Sequence, residues 1–333
     1  MRYYFAPMEG LTDSIYRRLH HKYFGGVDRY YMPFMSPTMH RSLTARESRD
    51  LPCADSVSFI AVPQILTKVP EDFLWASGVC RDRGYTEVNL NLGCPSGTVV
   101  SKGKGSGMLA DPAALDRFLD QIFTGSPLPI SVKTRLGLQS PEEFPALLEV
   151  FNRYPIRELT LHPRVRKAFY NGSVHMSSFR YLVENSKNPV CYNGNLCSLQ
   201  DIANFSEKFP QVDAVMLGRG LVGDPGMLIP GGTTRDALDR FHTELLEEYT
   251  LHFGGPRNAM FRLKENWHFL LCRFDGSEKL GKRLRKTTDL SEFRAITHEI
   301  IHTLPLLPQL MPDWYHKWVR RTPAHPLFMS GIP

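Results

Sequence analysis

The stretch that decides the fold is Val88-Asn89-Leu90-Asn91-Leu92-Gly93-Cys94-Pro95-Ser96-Gly97. Apolar residues alternate with asparagines over its first five positions, the period-2 pattern of a β-strand. Gly93 and Pro95 then end the strand, and Cys94 lies between them. Functional residues are frequent on loops carried by a rigid scaffold, so Cys94 is a candidate for chemistry. The alternative is a buried, inert cysteine, as most free cysteines are. This segment alone leaves both interpretations open.

Length and composition indicate a large globular chain without a membrane segment. The 333 residues are 42% hydrophobic, which suits about two domains with full cores. No apolar run is long enough to cross a bilayer, and the N-terminus lacks the apolar core of a signal peptide. We therefore expect a cytoplasmic protein, and a monomer by default. The net charge of +6 is compatible with a polyanionic partner.

The six cysteines are widely spaced and form no Cys-x-x-Cys pair: Cys53, Cys80, Cys94, Cys191, Cys197 and Cys272. In a chain of this size, such spacing predicts free thiols in a reducing cytosol. It argues against a disulfide framework and against a zinc site. We expect no bound metal.

Eight short, β-rich apolar segments alternate with amphipathic helical stretches. The predicted strands are residues 3–8, 28–33, 59–66, 87–92, 129–136, 158–163, 189–193 and 214–219, and the helices between them include residues 71–83, 111–123, 141–154, 177–186 and 199–209. Eight β-α units within residues 1–232 match the count and size of a (β/α)8 TIM barrel. An open doubly wound sheet is the alternative, but no Gly-x-Gly-x-x-Gly follows the first strand.

The pattern changes after Gly231-Gly232. Residues 236–253, 260–274 and 290–304 have apolar positions three and four apart, which predicts helices, and no strand alternation remains. We therefore predict a barrel domain over residues 1–232 and a small all-helical domain over residues 233–333, ending in a tail from Pro305 that lies against the body of the protein. The long polar segment 30–58 is predicted to be an active-site loop or lid.

Polar or cationic side chains stand at the end of nearly every predicted strand, where TIM barrels place their active sites. Each has an ordinary explanation on its own, such as a rim charge for Lys133 or a hydrogen-bonded core residue for His162. Their repeated occurrence at the same structural position favours one shared site. The polar or cationic residues, in chain order, are Gln64, Asn91, Cys94, Lys133, Arg135, His162, Arg164, Asn193, Asn195 and Arg219, and Pro7, Met8, Gly194 and Gly218 stand at the same strand ends.

Glycines after the seventh and eighth predicted strands indicate a ligand that carries a phosphate group. TIM barrels often bind phosphate at this position, and glycine lets backbone amides approach an anion. Asn193-Gly194 and Gly218-Arg219-Gly220 fit a phosphate clasp, although ordinary tight turns also use glycine. A phosphate there, with Lys133 across the mouth, suits flavin mononucleotide (FMN). A cation near the flavin ring would stabilise its anionic reduced form.

Six motifs together resemble, in order and spacing, those of the tRNA-dihydrouridine synthases, over roughly residues 1–230. They are Ala6-Pro7-Met8-Glu9-Gly10-Leu11-Thr12-Asp13, Asn91-Leu92-Gly93-Cys94-Pro95, Lys133-Thr134-Arg135-Leu136-Gly137, His162-Pro163-Arg164-Val165-Arg166, Asn193-Gly194 and Gly218-Arg219-Gly220. The resemblance implies an FMN-bearing TIM barrel, followed by a helical domain, that uses NADPH to reduce particular uridines in tRNA.

The resemblance also implies roles for residues. Cys94 would be the general acid that protonates C5 of uracil, while C6 receives a hydride from reduced FMN. For a reaction of this kind we expect Asn91, Arg135, Arg164 and Arg166 to contact the substrate, with Arg164 or Arg166 stabilising the negative charge that develops on the uracil carbonyls. FMN would be bound by Pro7, Met8, Gln64, Lys133, His162, Asn193, Gly194, Gly218 and Arg219, with Asn195 where the family often has aspartate. Pro163 and Val165 also depart from the usual His-x-Arg-Thr-Arg motif.

The positive charge is concentrated in residues 257–286, which contain nine basic and three acidic residues. A solvated helix face is the usual meaning of such a segment. In a barrel that resembles an RNA-modifying enzyme, a surface that follows phosphates becomes the favoured interpretation. We expect Lys282, Arg283, Arg285 and Lys286 to bind tRNA.

Two other functions remain open at this point. One is an FMN oxidoreductase of a free small molecule, similar to dihydroorotate dehydrogenase, which would have no use for the basic helical segment. The other is an RNA-binding scaffold without catalysis, against which the joint presence of Cys94, Lys133, His162 and Arg219 argues.

Overall fold

A computed structural model of the chain describes residues 1–310. The predictions for the rest of the tail and for the end of the helical domain, residues 311–333, lie outside the described residues. The first part of the tail contacts the body: the backbone N–H of Leu307 donates to the carbonyl of Arg273 at 2.8 Å, and Leu310 is buried.

All nine strands of the described residues are parallel and form one sheet. They are β1 (Arg2–Phe5), β2 (Arg29–Tyr31), β3 (Ala61–Val62), β4 (Gln64–Ile65), β5 (Val88–Leu92), β6 (Ile130–Arg135), β7 (Leu159–His162), β8 (Val190–Tyr192) and β9 (Ala214–Leu217). Their spatial order is β3-β2-β1-β9-β8-β7-β6-β5-β4. Each of the eight predicted strand segments therefore contains a strand. Segments that follow one another along the chain also pair with each other in the sheet.

Pro63 explains why nine strands occupy eight barrel positions. It separates β3 from β4 within the predicted segment 59–66, because proline has no backbone N–H to donate to a ladder. Before it, β3 pairs with β2; after it, β4 pairs with β5. The two ends of the sheet are thus joined by one residue, and the sheet closes into the predicted TIM barrel. An open doubly wound sheet is wrong for this chain.

The helices of residues 1–310 lie between the strands and, after β9, in a continuous helical segment. They are α1 (Ser14–Tyr23), α2 (Ala45–Asp50), α3 (Pro70–Asp82), α4 (Gly97–Val100), α5 (Pro112–Gly125), α6 (Phe144–Phe151), α7 (Met176–Asn185), α8 (Leu199–Lys208), α9 (Arg219–Gly223), α10 (Arg235–His252), α11 (Pro256–Leu270), α12 (Glu278–Lys286) and α13 (Leu290–Thr303). The helices predicted from periodicity are all present. Helix α12 lies between the predicted helices 260–274 and 290–304, where no helix was predicted, and α2 lies within the long connection 30–58.

Short 3-10 helices complete several connections: Ala54–Ser56, Gly105–Ala110, Pro141–Glu143, Arg166–Ala168 and Leu271–Arg273. Side-chain caps fix some of the helix starts. The Asp111 carboxylate accepts from the backbone N–H groups of Ala113 and Ala114 at the start of α5, and the Ser198 hydroxyl accepts from Asp201 N–H in α8. These caps satisfy donors that the first helical turn leaves open.

The helical segment packs directly on the barrel through α10 and α1. The ring of Phe241 in α10 meets Tyr16 and Phe24 edge-on, with ring centroids 5.4 and 5.3 Å apart. The buried apolar residues of the barrel helices and of α10–α13 belong to one continuous cluster. The domain boundary after Gly232 stays a prediction.

None of the helices in residues 1–310 combines the length and the apolar character that crossing a membrane requires.

Candidate active site

A buried network of amide side chains joins β4, β5 and β6. The Gln64 side chain donates from Nε2 to Asn89 Oδ1 and accepts at Oε1 from Asn91 Nδ2, both at 2.8 Å. Asn89 Nδ2 in turn donates to Ser131 Oγ on β6 at 3.0 Å. Because unpaired amides at such depth would be costly, these bonds fix the orientation of Asn91.

Asn91 holds the loop that carries Cys94. Its Oδ1 accepts from the backbone N–H groups of Gly93 at 3.0 Å and of Cys94 at 2.9 Å. From the far end of the loop, Ser106 donates its backbone N–H (3.1 Å) and its hydroxyl (2.8 Å) to the Cys94 carbonyl. Gly105 has φ +56° and approaches so closely that a Cβ there would lie 3.0 Å from the Cys94 carbonyl oxygen. Glycine is therefore required at position 105.

The surroundings of Cys94 favour the neutral thiol. Burial raises the pKa of Cys94, and the charge of Glu9 acts in the same direction. A hydrogen bond with the backbone of Ser96 and the positive charges of Arg135 and Lys133 act in the opposite direction without cancelling the rise. The thiol is therefore protonated at neutral pH, the form a general acid needs.

Lys133 lies on β6 opposite Asn91 of β5. The residue is partly exposed, and within residues 1–310 its side chain has no ion-pair or hydrogen-bond partner. Burial and the positive charge of Arg135 lower the pKa of Lys133 to about 7. A nearby anion would favour the charged amine, so this position suits an anionic ligand group.

Arg135, which was expected to contact substrate, lies buried beneath the mouth. Its guanidinium donates to three backbone carbonyls, those of Gly93 at 2.8 Å, Val165 at 3.3 Å and Phe169 at 2.7 Å. It thereby ties the Cys94 loop to the loop after β7. These bonds position both loops, and contact of Arg135 with substrate stays a prediction.

His162, at the end of β7, is neutral and has a defined tautomer. Its Nδ1 lies 2.6 Å from the carbonyl oxygen of Asn193, which can only accept, so Nδ1 carries the proton. Nε2 is then an acceptor, 3.3 Å from Nη1 of Arg164. Burial lowers the pKa of His162 well below its usual range, and the charges of Arg135, Lys133 and Arg164 act in the same direction.

The side chain of Asn195 accepts hydrogen bonds from two arginines. Its Oδ1 accepts from Arg164 at 3.2 Å and from Arg219 at 3.0 Å. Arg164 is fully buried and also donates to the carbonyl of Gly172 at 2.6 Å. Arg166 lies farther out, with its guanidinium 5.4 Å from the centre of the Phe169 ring. Of the two arginines expected near the uracil carbonyls, Arg166 is the more exposed.

The predicted phosphate clasp is a close-packed pair of loops. A Cβ on Gly220 would lie 2.5 Å from the Leu196 carbonyl, and one on Gly218 would lie 3.3 Å from Met8 Sδ. Met8, after β1, and Asn193 and Gly194, after β8, therefore lie around the same rim as Gly218 and Arg219. Asn193 is fixed by a bond from Nδ2 to the carbonyl of Met216 at 2.7 Å.

Tyr170 is a residue of this site that the sequence reasoning missed. Its ring is half-exposed, at 48%, and lies 5.3 Å from the Arg135 guanidinium and 5.1 Å from that of Arg219. The neighbouring Phe169 has φ +48°, unusual for a bulky residue. The pairing of an aromatic residue with two distant arginines gives no signal in a single sequence.

Some basic side chains of residues 257–286 bond to other parts of the protein, and others are exposed to solvent. Arg273 is buried 3.4 Å from Asp224, and Lys264 donates to the carbonyl of Thr287 at the end of α12. On α12 itself, Leu280, Gly281 and Leu284 form the buried face. The four cations expected to bind tRNA are all on the exposed face: Lys282, Arg283, Arg285 and Lys286. They lie on a helix apart from the barrel strands that carry the other predicted residues.

The chain matches a family model described as dihydrouridine synthase over residues 4–251, more than half of its length. The chain belongs to the dihydrouridine synthase family.

Curated relatives extend the match beyond the barrel. The chain is 25% identical over 325 residues to tRNA-dihydrouridine synthase B of Vibrio parahaemolyticus, which covers 93% of this chain and 94% of that protein. It is 26% identical over 304 residues to probable tRNA-dihydrouridine synthase 2 of Bacillus subtilis, covering 87% and 91%. The resemblance inferred from the six motifs is thereby confirmed.

Among solved structures, one of morphinone reductase in complex with tetrahydroNAD is similar, with a TM-score of 0.48 and 10% identity over 73% of this chain and 86% of that chain. The barrel assignment for this dihydrouridine synthase family member rests on its own strand pairing.

The thiol of Cys94 gives a direct test of the site electrostatics. We expect its alkylation by iodoacetamide to reach half its maximal rate at a higher pH in the folded protein than in the denatured protein, because the thiolate is the reactive form and burial raises the pKa of the folded thiol. The rate is measured by mass spectrometry of the Cys94 peptide across a pH series. The control is the same peptide in denatured protein, whose midpoint should lie near the ordinary cysteine value of about 8.5. A folded midpoint at or below the denatured one would contradict the account.

Proposed function

We propose that this chain is a tRNA-dihydrouridine synthase that reduces the C5–C6 double bond of particular uridines in tRNA, with FMN as cofactor and NADPH as reductant. The observation that carries the proposal is Cys94, a protonated thiol at the mouth of the barrel of a dihydrouridine synthase family member. The names of the curated relatives support tRNA as the substrate class.

The residues at the mouth fit FMN. Lys133 offers an amine for which the described residues supply no anion, and the close-packed Gly218 and Arg219 stand where barrels bind phosphate. We infer that FMN is held by Pro7, Met8, Gln64, Lys133, His162, Asn193, Gly194, Asn195, Gly218 and Arg219. When bound, FMN supplies the hydride that C6 of uracil accepts.

Cys94 supplies the proton. Its S–H bond breaks as a C–H bond forms at C5 of uracil, and the resulting thiolate regains a proton from solvent. The balanced reaction consumes uridine, NADPH and one proton and yields dihydrouridine and NADP⁺. Asn91 holds the Cys94 backbone through Oδ1 and uses one Nδ2 hydrogen on Gln64, so its other Nδ2 hydrogen is available to a uracil carbonyl.

Arg135, Arg164 and Arg166 have different roles in this proposal. Arg135 positions the Cys94 loop through the Gly93 carbonyl, and Arg164 holds His162 and Asn195 in place. Arg166, the most exposed of the three, is the one we assign to the negative charge that develops on the uracil carbonyls. A paired or stacked uridine must leave its stack to reach these groups.

Removing the Cys94 thiol tests the proposed proton transfer. We expect Cys94→Ala to bind FMN and to oxidise NADPH as the wild type does, but to form at least about 100-fold less dihydrouridine in tRNA, the usual range for loss of a general acid. Dihydrouridine is quantified by mass spectrometry of nucleosides from unmodified tRNA after reaction. Cys53→Ala, which removes an exposed thiol on the connection after β2, is the control and should retain full activity.

Undiminished dihydrouridine formation by Cys94→Ala would overturn the assignment of the acid. If the wild type binds tRNA but neither binds FMN nor reduces uridine, the chain is an RNA-binding scaffold.

The exposed face of α12 is tested by charge reversal at Lys282 and Lys286, one helical turn apart. Arg283 stays native because it pairs with Glu292 at 3.4 Å. We expect Lys282→Glu/Lys286→Glu to weaken tRNA binding and to make the slope of log K against log[salt] less negative by about 1 to 2, with NADPH oxidation unchanged. Fluorescence anisotropy with labelled tRNA at several salt concentrations measures both quantities.

The matched control for the α12 variant is Lys187→Glu/Lys208→Glu. It makes the same charge change at two exposed lysines that precede β8 and β9, at the opposite end of the barrel from the mouth. Equal affinities of the two double variants would exclude α12 as an RNA-binding surface.

A further inference from the structure

Three lysines outside the assigned site lie on two loops of the barrel rim. Lys68 follows β4, and Lys102 and Lys104 lie after α4 in the connection between β5 and α5 that also carries Cys94. Both loops leave the C-terminal ends of strands, so these lysines stand at the same end of the barrel as the active site.

The lysines are close together in space. Gly103, with φ +67°, separates Lys102 from Lys104, and a Cβ on it would lie 3.5 Å from Cδ and 3.6 Å from Nζ of Lys68. The ammonium of Lys68 therefore lies against the backbone between the other two lysines. Lys104 donates from Nζ to Ser36 Oγ at 3.0 Å, which links its loop to the connection after β2.

The nearby carboxylates are already engaged. Asp72 lies 3.7 Å from the Arg41 guanidinium, and Glu47 accepts from the backbone N–H groups of Ser36 and Thr44. Lys68 and Lys102 are exposed, and neither has an ion-pair partner in the part of the chain that the structure describes.

The mutual effect of these charges is visible at Lys104. Burial lowers the pKa of Lys104, Asp72 raises it, Lys102 and Lys68 lower it, and Glu47 raises it. Because Asp72 and Glu47 also interact with other groups, the three clustered lysines attract an anion.

We propose that Lys68, Lys102 and Lys104, here termed the rim lysines, bind phosphate groups of the RNA backbone beside the nucleotide that enters the barrel. The inference rests on the proposed function and adds a contact surface on the barrel itself, apart from α12. Compact ammonium groups suit phosphate oxygens without selecting a base sequence.

The position of the rim lysines also links RNA binding to the catalytic thiol. Gly105 and Ser106, directly after Lys104, contact the carbonyl of Cys94. A backbone phosphate bound at Lys102 and Lys104 therefore restrains the same loop that holds the thiol, and does so only when RNA is present.

The test reverses Lys68 and Lys102 together and leaves Lys104 native because of its bond to Ser36. For Lys68→Glu/Lys102→Glu we expect tRNA affinity to fall on the order of tenfold, and the slope of log K against log[salt] to become less negative by about 2, as for two lost phosphate contacts. NADPH oxidation without RNA should be unchanged. Lys187→Glu/Lys208→Glu is again the matched control and should bind tRNA like the wild type apart from the shared effect of net charge.

A salt slope and an affinity equal to those of the control would overturn the rim-lysine surface and leave the proposed function intact. A wild-type chain that neither binds tRNA nor forms dihydrouridine would overturn the proposed function and the rim-lysine surface together. Thermal unfolding of both double variants checks that each is folded.

Discussion

The active site depends on the two hydrogen bonds that Asn91 Oδ1 accepts from Gly93 and Cys94. They turn the chain at the end of β5 and hold the thiol loop at the mouth. The orientation of Asn91 is in turn set through Gln64, Asn89 and Ser131 on three neighbouring strands. Loss of the Asn91 side chain would leave two partly buried backbone donors without their acceptor, each at a cost of at most about 1–3 kcal/mol, and would free the loop. Because Asn91 is itself held by the barrel strands, its hydrogen bonds keep Cys94 in a fixed position.

The surroundings of Cys94, His162 and Lys133 set the protonation state of each of these three side chains. Cys94 stays a thiol because burial outweighs the cations near it. His162 stays neutral between the Asn193 carbonyl and Arg164. Lys133, with its pKa lowered to about 7, is poised to gain a full charge when an anion binds. The buried arginines mainly hold loops together, and the cations available to a polyanion lie outside the mouth, on α12 and among the rim lysines.

The sequence was sufficient to predict the barrel and the residues at its strand ends, because period-2 strands, capped helices and polar strand termini are local patterns. The break at Pro63 was not predicted, since only the pairing of β3 and β4 with different neighbours shows it. Helix α12 was missed because its apolar positions are few among lysines and arginines. The burial of Arg135 and Arg164 and the placement of Tyr170 depend on contacts between distant loops. A motif identifies such residues without saying whether their donors face substrate or backbone.

Mapping of dihydrouridine on unmodified tRNA, after incubation with the purified holoenzyme and NADPH, tests the central claim most directly. The account predicts reduced uridine at a defined position, formed in proportion to the NADPH consumed. Oxidation of NADPH by a flavin-containing protein that leaves every uridine of the tRNA intact would contradict it.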